Sequence, residues 1–185
     1  MQLVRPTAEH LSAFVAALQR GWSPDNVRGA AAAQEALARI ASDADGFLAL
    51  THDPEALGPP VTLPDGSQRP RLPGLTRWMW DAEGFVGSIG LRWARGGAPL
   101  PPYVLGHIGY SVVPWRRRQG HATQALAQLL PLAREQGLAH VELTTDVDNE
   151  PSQRVILANG GVLVEHFVKG PEYGGKASLR YRIDL

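Results

Sequence analysis

The sequence contains no cysteine, so the chain can form no disulfide bond, no thiolate metal site and no cysteine nucleophile. It also lacks a surplus of either charge, because 18 Lys and Arg residues balance 18 Asp and Glu residues and the formal net charge is +0. A general nucleic-acid binder needs surplus basic residues to neutralise phosphates, and an anionic membrane surface makes a similar demand. We therefore expect neither nucleic acid nor a membrane as a partner.

Long apolar segments are also missing. No run of about 18 apolar residues could span a bilayer, and the first residues include Arg5 and Pro6 where a secretory signal would have an apolar core. With 44% hydrophobic and 19% charged residues, the chain can still bury a substantial core. We expect a cytoplasmic protein whose 185 residues form one domain, 1–185.

Glycine and proline, in contrast, are abundant, with 20 glycines and 15 prolines in 185 residues. Proline has no backbone N–H, so clusters of it interrupt regular hydrogen bonding. One cluster of glycine and proline covers 96–102. Another lies within 54–74 and contains Pro54, Pro59, Pro60, Pro64, Pro70 and Pro73. The pattern predicts a long irregular loop at each place.

Hydrophobic periodicity predicts a mixed order of helices and strands. The expected helices cover residues near 8–18, 30–40, 120–136 and 152–158. The expected strands cover a hairpin at 76–80 and 85–91, then 107–113, 141–145, 162–167 and 178–183. The strand, helix and strand from 107 to 145 form a βαβ unit, for which a right-handed crossover is the rule.

The segment from Arg116 to Thr123, RRRQGHAT, joins a predicted strand to the start of a predicted helix. The free N–H groups of a first helical turn and the helix dipole favour an anion at such a place. Gly120 has no Cβ that would keep a phosphate away from the backbone, and the arginines add positive charge. The segment therefore predicts a site for a di- or polyphosphate, although the chain contains neither a P-loop nor a GxGxxG motif.

The pattern Arg117-x-x-Gly120-x-Ala122 resembles the Gln/Arg-x-x-Gly-x-Gly/Ala pyrophosphate loop of the GNAT superfamily of N-acyltransferases. The segments on both sides of this loop are similar to the family as well. A strand that ends in Ser111–Pro114 precedes it. It is followed by an amphipathic helix, a strand, Asn149 with Ser152, and an Asn-Gly-Gly turn. The set GHIGYSV, DNEPS, NGG and LRYRI is similar to a bacterial branch of predicted acetyltransferases. The resemblance implies an α+β fold with a mostly antiparallel twisted sheet, a central splayed pair of parallel strands and flanking helices.

The resemblance further implies that acetyl-CoA lies between the splayed strands, 107–113 and 141–145. Backbone groups of Val112 and Val113 would pair with the pantetheine arm, and an N–H near Val113 would hold the thioester oxygen. Asn149 would contact the pantetheine or stabilise the end of the second strand, with Ser152 beside it. The pyrophosphate would be bound by one run of residues: Arg117, Arg118, Gln119, Gly120, His121, Ala122 and Thr123.

In such enzymes a neutral amine attacks the thioester directly, so a base must take the proton of the amine. We rank His107 first, because it starts the splayed strand and histidine has an ordinary pKa of about 6.5. Glu142, on the second strand, ranks next. Asp146 and Asp148 lie at the end of that strand, where turn and cap roles suit them better.

The departing thiolate needs a proton donor. Many relatives place a tyrosine seven residues after the asparagine, but this chain has Ile156 there. Ser152 and Tyr110 are the first alternatives, and Tyr173 or solvent could also supply the proton. We expect no metal, because the histidines show no ligand spacing.

Three functions follow from these expectations. The first is an N-acetyltransferase that acts on a primary amine of a small molecule or peptide by direct attack in a ternary complex. The second is a non-catalytic module that binds or senses acyl-CoA, which the isoleucine at position 156 motivates. The third is an acyltransferase for a different acyl group. A homodimer is a possible assembly of the chain, most of all under the second function. Trp78, Trp80 and Trp93 are expected in the core near the hairpin, and the acceptor is not identified by any motif.

Overall fold

The computed structural model describes residues 1–63 and 65–185. Short strands and helices open the chain, and longer strands alternate with helices in its second half. The α-helices are α1 (Ala8–Gln19), α2 (Ala30–Ser42), α3 (Ala44–Ala49), α4 (His121–Glu135) and α5 (Glu150–Leu157). The strands are β1 (Gln2–Val4), β2 (His52–Asp53), β3 (Val61–Thr62), β4 (Gln68–Arg69), β5 (Gly74–Asp81), β6 (Gly84–Arg92), β7 (Ile108–Val112), β8 (His140–Asp146), β9 (Val162–Val168) and β10 (Ala177–Asp184).

The strands form two main antiparallel sheets. The first has the order β1-β5-β6-β7, with β2 beside β5, and the second has the order β8-β10-β9. The hairpin predicted at 76–91 is confirmed as β5 and β6, in which Arg77 pairs with Ile89. In β8, apolar residues alternate with polar ones, and Val141, Leu143 and Thr145 are buried. The alternation buries one face of β8 and leaves the other face partly open.

The two sheets meet where β7 and β8 begin, and there the strands part. The N–H of His107 donates to the carbonyl of Glu142 at 2.8 Å. A Cβ on residue 106 would stand 2.8 Å from that same carbonyl, which explains the glycine at Gly106. Farther along, Tyr110 of β7 contacts Ser152, a residue of α5 beyond the end of β8. β7 and β8 therefore start side by side and then splay apart. The predicted α+β fold with antiparallel sheets and flanking helices is confirmed.

Helix α4 connects β7 to β8 and packs against both sheets. Its buried residues Ala125, Leu126, Leu129 and Ala133 lie on one face, at the spacing that the sequence predicts. Helix α4 continues through Pro131, which lies on its exposed side. On the other side of the first sheet, Phe14 of α1 stacks on Trp78 with ring centroids 4.4 Å apart. Trp78 and Trp93 are both buried, as expected of core residues.

The expectation of an irregular loop over 54–74 is partly wrong. Strands β3 and β4 pair as a small hairpin there, and the N–H of Leu63 donates to the carbonyl of Ser67 at 2.8 Å. The described prolines of this segment flank the paired residues, so the ladder keeps its donors, while Pro64 lies outside the described residues. The carboxylate of Asp53 fixes the start of the segment by accepting the N–H groups of Leu57 and Gly58. No described helix is long and apolar enough to cross a membrane.

Candidate active site

The loop before α4 presents a run of free backbone donors. Within the described part of the chain, no acceptor pairs with the N–H groups of residues 118–123, and the first helical bond runs from Gln124 to Gly120 at 3.1 Å. Arg118 has φ 64 and Gly120 has φ 77, both in the left-handed region. Left-handed residues before a helix turn successive N–H groups toward one point, which makes a concave anion site. The loop therefore has the form that a pyrophosphate requires.

The three consecutive arginines of this loop have different partners. The Arg116 guanidinium is nearly buried and forms ion pairs with Asp81 at 2.5 Å and Glu83 at 3.4 Å. Arg117 donates from Nε to the carbonyl of Val112 at 3.1 Å, and Arg118 is exposed. Arg116 thus anchors the loop to the β5–β6 turn, whereas Arg117 and Arg118 are the ones that can meet a phosphate.

The ring of His121 is turned into the protein. It is 9% exposed, its Nε2 lies 3.2 Å from Oε1 of Gln119, and its Nδ1 is buried with no described partner. Burial, followed by the charge of Arg116, lowers the pKa of His121, so the ring is neutral at neutral pH. His121 can therefore serve a phosphate through its backbone N–H rather than through its ring.

β7 and β8 part after His107, and the space between them is called the gap. The hydrogen bonds that β7 makes to β6 show which of its backbone groups face this gap. The N–H of Arg92 donates to the carbonyl of His107 at 2.9 Å, and the N–H of Val113 donates to the carbonyl of Val86 at 3.0 Å. Because successive residues of a strand alternate in direction, the backbone groups of Tyr110 and Val112 point into the gap. The N–H of Val113 is engaged in the sheet, which weighs against Val113 itself as the donor to the thioester oxygen. That an N–H near Val113 holds this oxygen stays a prediction.

The connection between α1 and α2 packs on β7, a contact that sequence reasoning missed. Trp22 donates from its indole nitrogen to the hydroxyl of Ser111 at 3.0 Å, and that hydroxyl donates to the carbonyl of Ser23 at 2.9 Å. Asn26 donates from Nδ2 to the carbonyl of Tyr110 at 2.8 Å. These contacts link residues more than 80 positions apart, so no local pattern of the sequence signals them.

On the β8 side of the gap, the backbone of Glu142 is held by His107, which accepts the Glu142 N–H at Nδ1 over 3.0 Å. By the same alternation, the next backbone groups of β8 that face the gap belong to Thr144, a residue that the sequence analysis did not select. Its side chain lies on the partly open face of the strand.

Tyr110 and Ser152 form a hydroxyl pair across the gap, with Oη and Oγ 2.7 Å apart. Burial raises the pKa of Tyr110, while its hydrogen bond to Ser152 acts in the opposite direction. The side chain of Asn149 caps α5 by accepting the N–H of Ser152 at 3.2 Å, and Asn149 thereby orients the serine. Ile156, where relatives have a tyrosine, is 1% exposed and belongs to the main core.

His107 is 7% exposed, and the Glu142 N–H occupies its Nδ1 lone pair. Burial, only partly offset by the charge of Glu142, lowers the pKa of His107 to about 4. At neutral pH the ring is therefore neutral with its proton on Nε2, and no lone pair is left to accept another. The assignment of His107 as the base stays a prediction, and this geometry weighs against it.

The polar face of the second sheet carries the other charged candidates. Glu142 pairs with Arg180 at 3.0 Å, and Arg180 also pairs with Glu165 at 2.7 Å. Asp146 is held by Lys169, and although burial opposes ionisation, this contact lowers the pKa of Asp146. Among the described residues, no group of three or more His, Asp or Glu side chains could hold a metal ion. The candidate site is thus a gap with a loop of unpaired described N–H groups at one end, a hydroxyl pair inside and charged groups at the open face.

Comparison with protein families decides the class of this site. A family model described as an acetyltransferase (GNAT) domain matches residues 3–162. The chain belongs to the GNAT acetyltransferase family. The match covers the loop before α4, the strands β7 and β8, and helix α5. That residues 1–185 form one domain stays a prediction.

Solved structures agree with this GNAT fold. RimL, an alpha-N-acetyltransferase for a ribosomal protein solved with coenzyme A, is 16% identical and has a TM-score of 0.63, with 99% of this chain and 93% of RimL covered. A spermidine N-acetyltransferase mutant from Vibrio cholerae is 12% identical with a TM-score of 0.60, covering 100% and 95%. MccE, a self-immunity acetyltransferase solved with acetyl-CoA and AMP, is 12% identical with a TM-score of 0.57, covering 99% and 91%. No curated protein matches the sequence.

Proposed function

We propose that this GNAT protein is an N-acetyltransferase that transfers the acetyl group of acetyl-CoA to a primary amine of a small molecule or a peptide, by direct attack within a ternary complex. The observation that carries the proposal is the run of N–H groups from Arg118 to Thr123, which have no acceptor among the described residues and lie between β7 and the start of α4. Such a run at a helix start binds a pyrophosphate through hydrogen bonds and the helix dipole. The coenzyme A and acetyl-CoA in the RimL and MccE structures support this assignment.

The residues of the gap suit the rest of the cofactor. The pyrophosphate would lie on the backbone of residues 118–123, with Arg117 and Arg118 adding charge. The pantetheine arm would run along β7, whose backbone at Tyr110 and Val112 points into the gap. We place the thioester oxygen at the N–H of Val112 in place of Val113, because a donor aimed at that oxygen stabilises the charge that develops there. When bound, acetyl-CoA supplies the activated acetyl group.

Two proton positions follow from the described side chains. Tyr110 keeps its phenolic proton, because burial raises its pKa, and its contact with Ser152 makes the pair a donor for the departing thiolate. We assign the base to Glu142, which takes the proton of the amine directly or through one water. Its carboxylate lies on the open face of β8, whereas the lone pair of His107 is engaged.

Binding of acetyl-CoA tests the proposal directly. Isothermal titration should give a complex with the wild-type chain, and the double variant Arg118→Glu/Gly120→Glu should abolish it by placing carboxylates where the phosphates lie. Arg134→Glu, at the far end of α4, is the matched control and should bind like wild type. Absence of binding at millimolar acetyl-CoA would overturn the proposal.

One observation favours a second candidate, a non-catalytic acyl-CoA-binding module. Ile156 fills the position of the usual tyrosine and is packed in the core, so it can donate no proton. This candidate predicts binding without thiol release across a broad panel of amines. The same thiol-release assay with succinyl-CoA tests an acyltransferase for a different acyl group.

A homodimer and a cytoplasmic location both stay predictions. β9 is an edge strand with exposed apolar residues, among them Val162 at 64%, Val164 at 50% and Val168 at 69%. A strand edge of this kind is a template for pairing with another chain. Light scattering after size exclusion measures the mass in solution, and a mass near 20.0 kDa would contradict the homodimer.

A further inference from the structure

Desolvation lowers the pKa of three described arginines, and two of them have an acceptor. Arg71 donates from Nε to the carbonyl of Pro59 at 3.0 Å, and Arg77 donates to the carbonyl of Thr76 at 3.0 Å. The third is Arg92, whose guanidinium has no hydrogen-bond acceptor or ion-pair partner among the described residues. The guanidinium is exposed, and none of its five donors is engaged by a described acceptor, so Arg92 is available to a bound anion.

Arg92 stands beside the proposed reaction site. It is the last residue of β6, and its backbone N–H donates to the carbonyl of His107. Its Nη2 lies 3.1 Å from the position that a Cβ on Gly109 would occupy. The guanidinium therefore lies over Gly109 of β7. Both Arg92 and the proposed base Glu142 hydrogen-bond to His107, since the carbonyl of His107 accepts the Arg92 N–H and its Nδ1 accepts the Glu142 N–H, so the two residues flank His107 at the start of the gap.

The side chain of Arg92 is exposed to solvent, so its guanidinium is accessible to a bound molecule. Tyr173 and Asp25 both act electrostatically on Arg92 in the direction that favours its charged form. Arg180, the other cation near His107, already pairs with Glu142 and Glu165. Asp25 attracts Arg92 electrostatically, but its Oδ1 accepts the backbone N–H groups of residues 27 and 28 and no ion pair forms.

From this placement we infer that Arg92 binds an anionic group of the acceptor, so that the substrate is an amine that also carries a carboxylate or a phosphate. The inference rests on the proposed N-acetyltransferase function and specifies its substrate class. A planar guanidinium matches both anions with two parallel hydrogen bonds, which a neutral amide cannot reproduce. A polyamine, which is cationic along its length, would meet repulsion at this position.

Matched acceptor pairs test the inference by kinetics. Glycine is compared with glycinamide, and phosphoethanolamine with ethanolamine, while spermidine represents the polyamines. Wild type should use at least one anionic member at least about tenfold better in kcat/KM than its neutral partner, since a hydrogen bond to a charged group has that effect. The variant Arg92→Gln should remove this preference mainly through KM, Arg92→Lys should keep part of it, and Arg134→Gln should keep it all. The carboxylate and phosphate pairs show which anion is the natural one.

Preference of wild type for glycinamide, ethanolamine or spermidine would overturn the inference, as would an equal loss with both members of a pair in Arg92→Gln. Binding of N-acetylglycine and of N-acetyl-phosphoethanolamine to the CoA-loaded protein gives a readout that needs no turnover. If neither binds, or if Arg92→Gln binds them as wild type does, the Arg92 site is refuted. If wild type binds acetyl-CoA and one of these anions through Arg92 but acetylates no amine, the catalytic proposal fails and the anion site stands.

Discussion

The phenol of Tyr110 and the hydroxyl of Ser152 lie 2.7 Å apart, on opposite sides of the gap between the two sheets. Tyr110 comes from β7, and Ser152 comes from the first turn of α5, which Asn149 caps. The two residues are separated by 42 positions in the sequence. They become neighbours only because β7 and β8 part after His107, which opens the space that the hydroxyl pair occupies.

If this pair donates the proton to the thiolate, Tyr110→Phe should lower kcat by about 10²-fold, within the range of general acid catalysis. Ser152→Ala should have a smaller effect, and the double variant should lose less than the product of the single losses, because residues that act as a unit are not additive. Thiol-release kinetics give kcat for the wild type, for each single variant and for the double variant. Acetyl-CoA affinity should stay within about twofold of wild type, since one hydroxyl group is removed far from the phosphate loop.

Tyr103→Phe is the matched control for the pair. It removes a phenol that donates to the carbonyl of Pro70 at 3.3 Å, a contact that involves neither Tyr110 nor Ser152. It should leave kcat unchanged. Equal losses of kcat in Tyr103→Phe and Tyr110→Phe, or full activity of Tyr110→Phe, would contradict a role of the pair in proton transfer.

Gly120 allows a second prediction, because the chain contains a glycine in the same conformation at the other end of α4. Gly120 has φ 77 and Gly137 has φ 78, and an added Cβ meets no atom closer than 3.9 Å at Gly120 and none within 4 Å at Gly137. Alanine at either position should lower the free energy of unfolding by about 1 kcal/mol, through backbone strain alone. Only Gly120→Ala should also weaken acetyl-CoA binding, by about tenfold. Urea unfolding and calorimetric titration separate the two effects, and equal affinities of the two variants would argue against a phosphate at this loop.

The arginine run allows a third prediction, since its members have different partners. Arg116→Gln should lower the free energy of unfolding by about 1–3 kcal/mol, because it leaves the nearly buried Asp81 without its cation. Its acetyl-CoA affinity should remain near that of wild type. Arg118→Gln should do the reverse, weakening binding about threefold to tenfold at unchanged stability. Melting curves and titration of both variants check this contrast, and a binding loss confined to Arg116→Gln would reverse the assignment.

The sequence predicts the elements that carry local signals. The stripe of Ala125, Leu126, Leu129 and Ala133 has a helical period, so α4 and its buried face are recovered. Gly120 between a strand and that helix predicts an anion site there, and this stays a prediction. These features depend on neighbours within a few residues, and such neighbours are visible in the chain itself.

Features set by distant contacts escape the sequence. The contact of Trp22 with Ser111 bridges 89 positions. The guanidinium of Arg92, which has no hydrogen-bond or ion-pair partner among the described residues, can be recognised only from the structure around it. The availability of the Val113 N–H depends on the register of β6 against β7, which a one-residue slip would change. His107 is attractive as a base by residue type, yet its hydrogen bond to Glu142 removes the lone pair. The residue types thus indicate where the candidate site lies, whereas the strand pairing and the long-range contacts determine which of its groups are available to react.

His107 gives a fourth prediction, which concerns stability and pH. Its pKa is about 4 in the folded chain, because of burial, and about 6.5 in the unfolded chain. Between these values the unfolded chain binds a proton that the folded chain does not, so the contribution of His107 to stability is constant above pH about 6.5 and is lost as the pH falls toward 4. The loss should amount to roughly 2–3 kcal/mol over that window.

The variant His107→Asn isolates this effect, because its side-chain oxygen can still accept the N–H of Glu142 but does not titrate in this range. The difference in free energy of unfolding between wild type and His107→Asn should therefore fall as the pH is lowered from 6.5 to 4 and stay flat above it. The same variant separates the two candidate bases: its pH–rate profile should keep the wild-type shape if Glu142 takes the proton, whereas Glu142→Gln should reduce kcat. A pH-independent stability difference would contradict the buried neutral ring, and loss of the acidic limb of the profile in His107→Asn would restore His107 as the base.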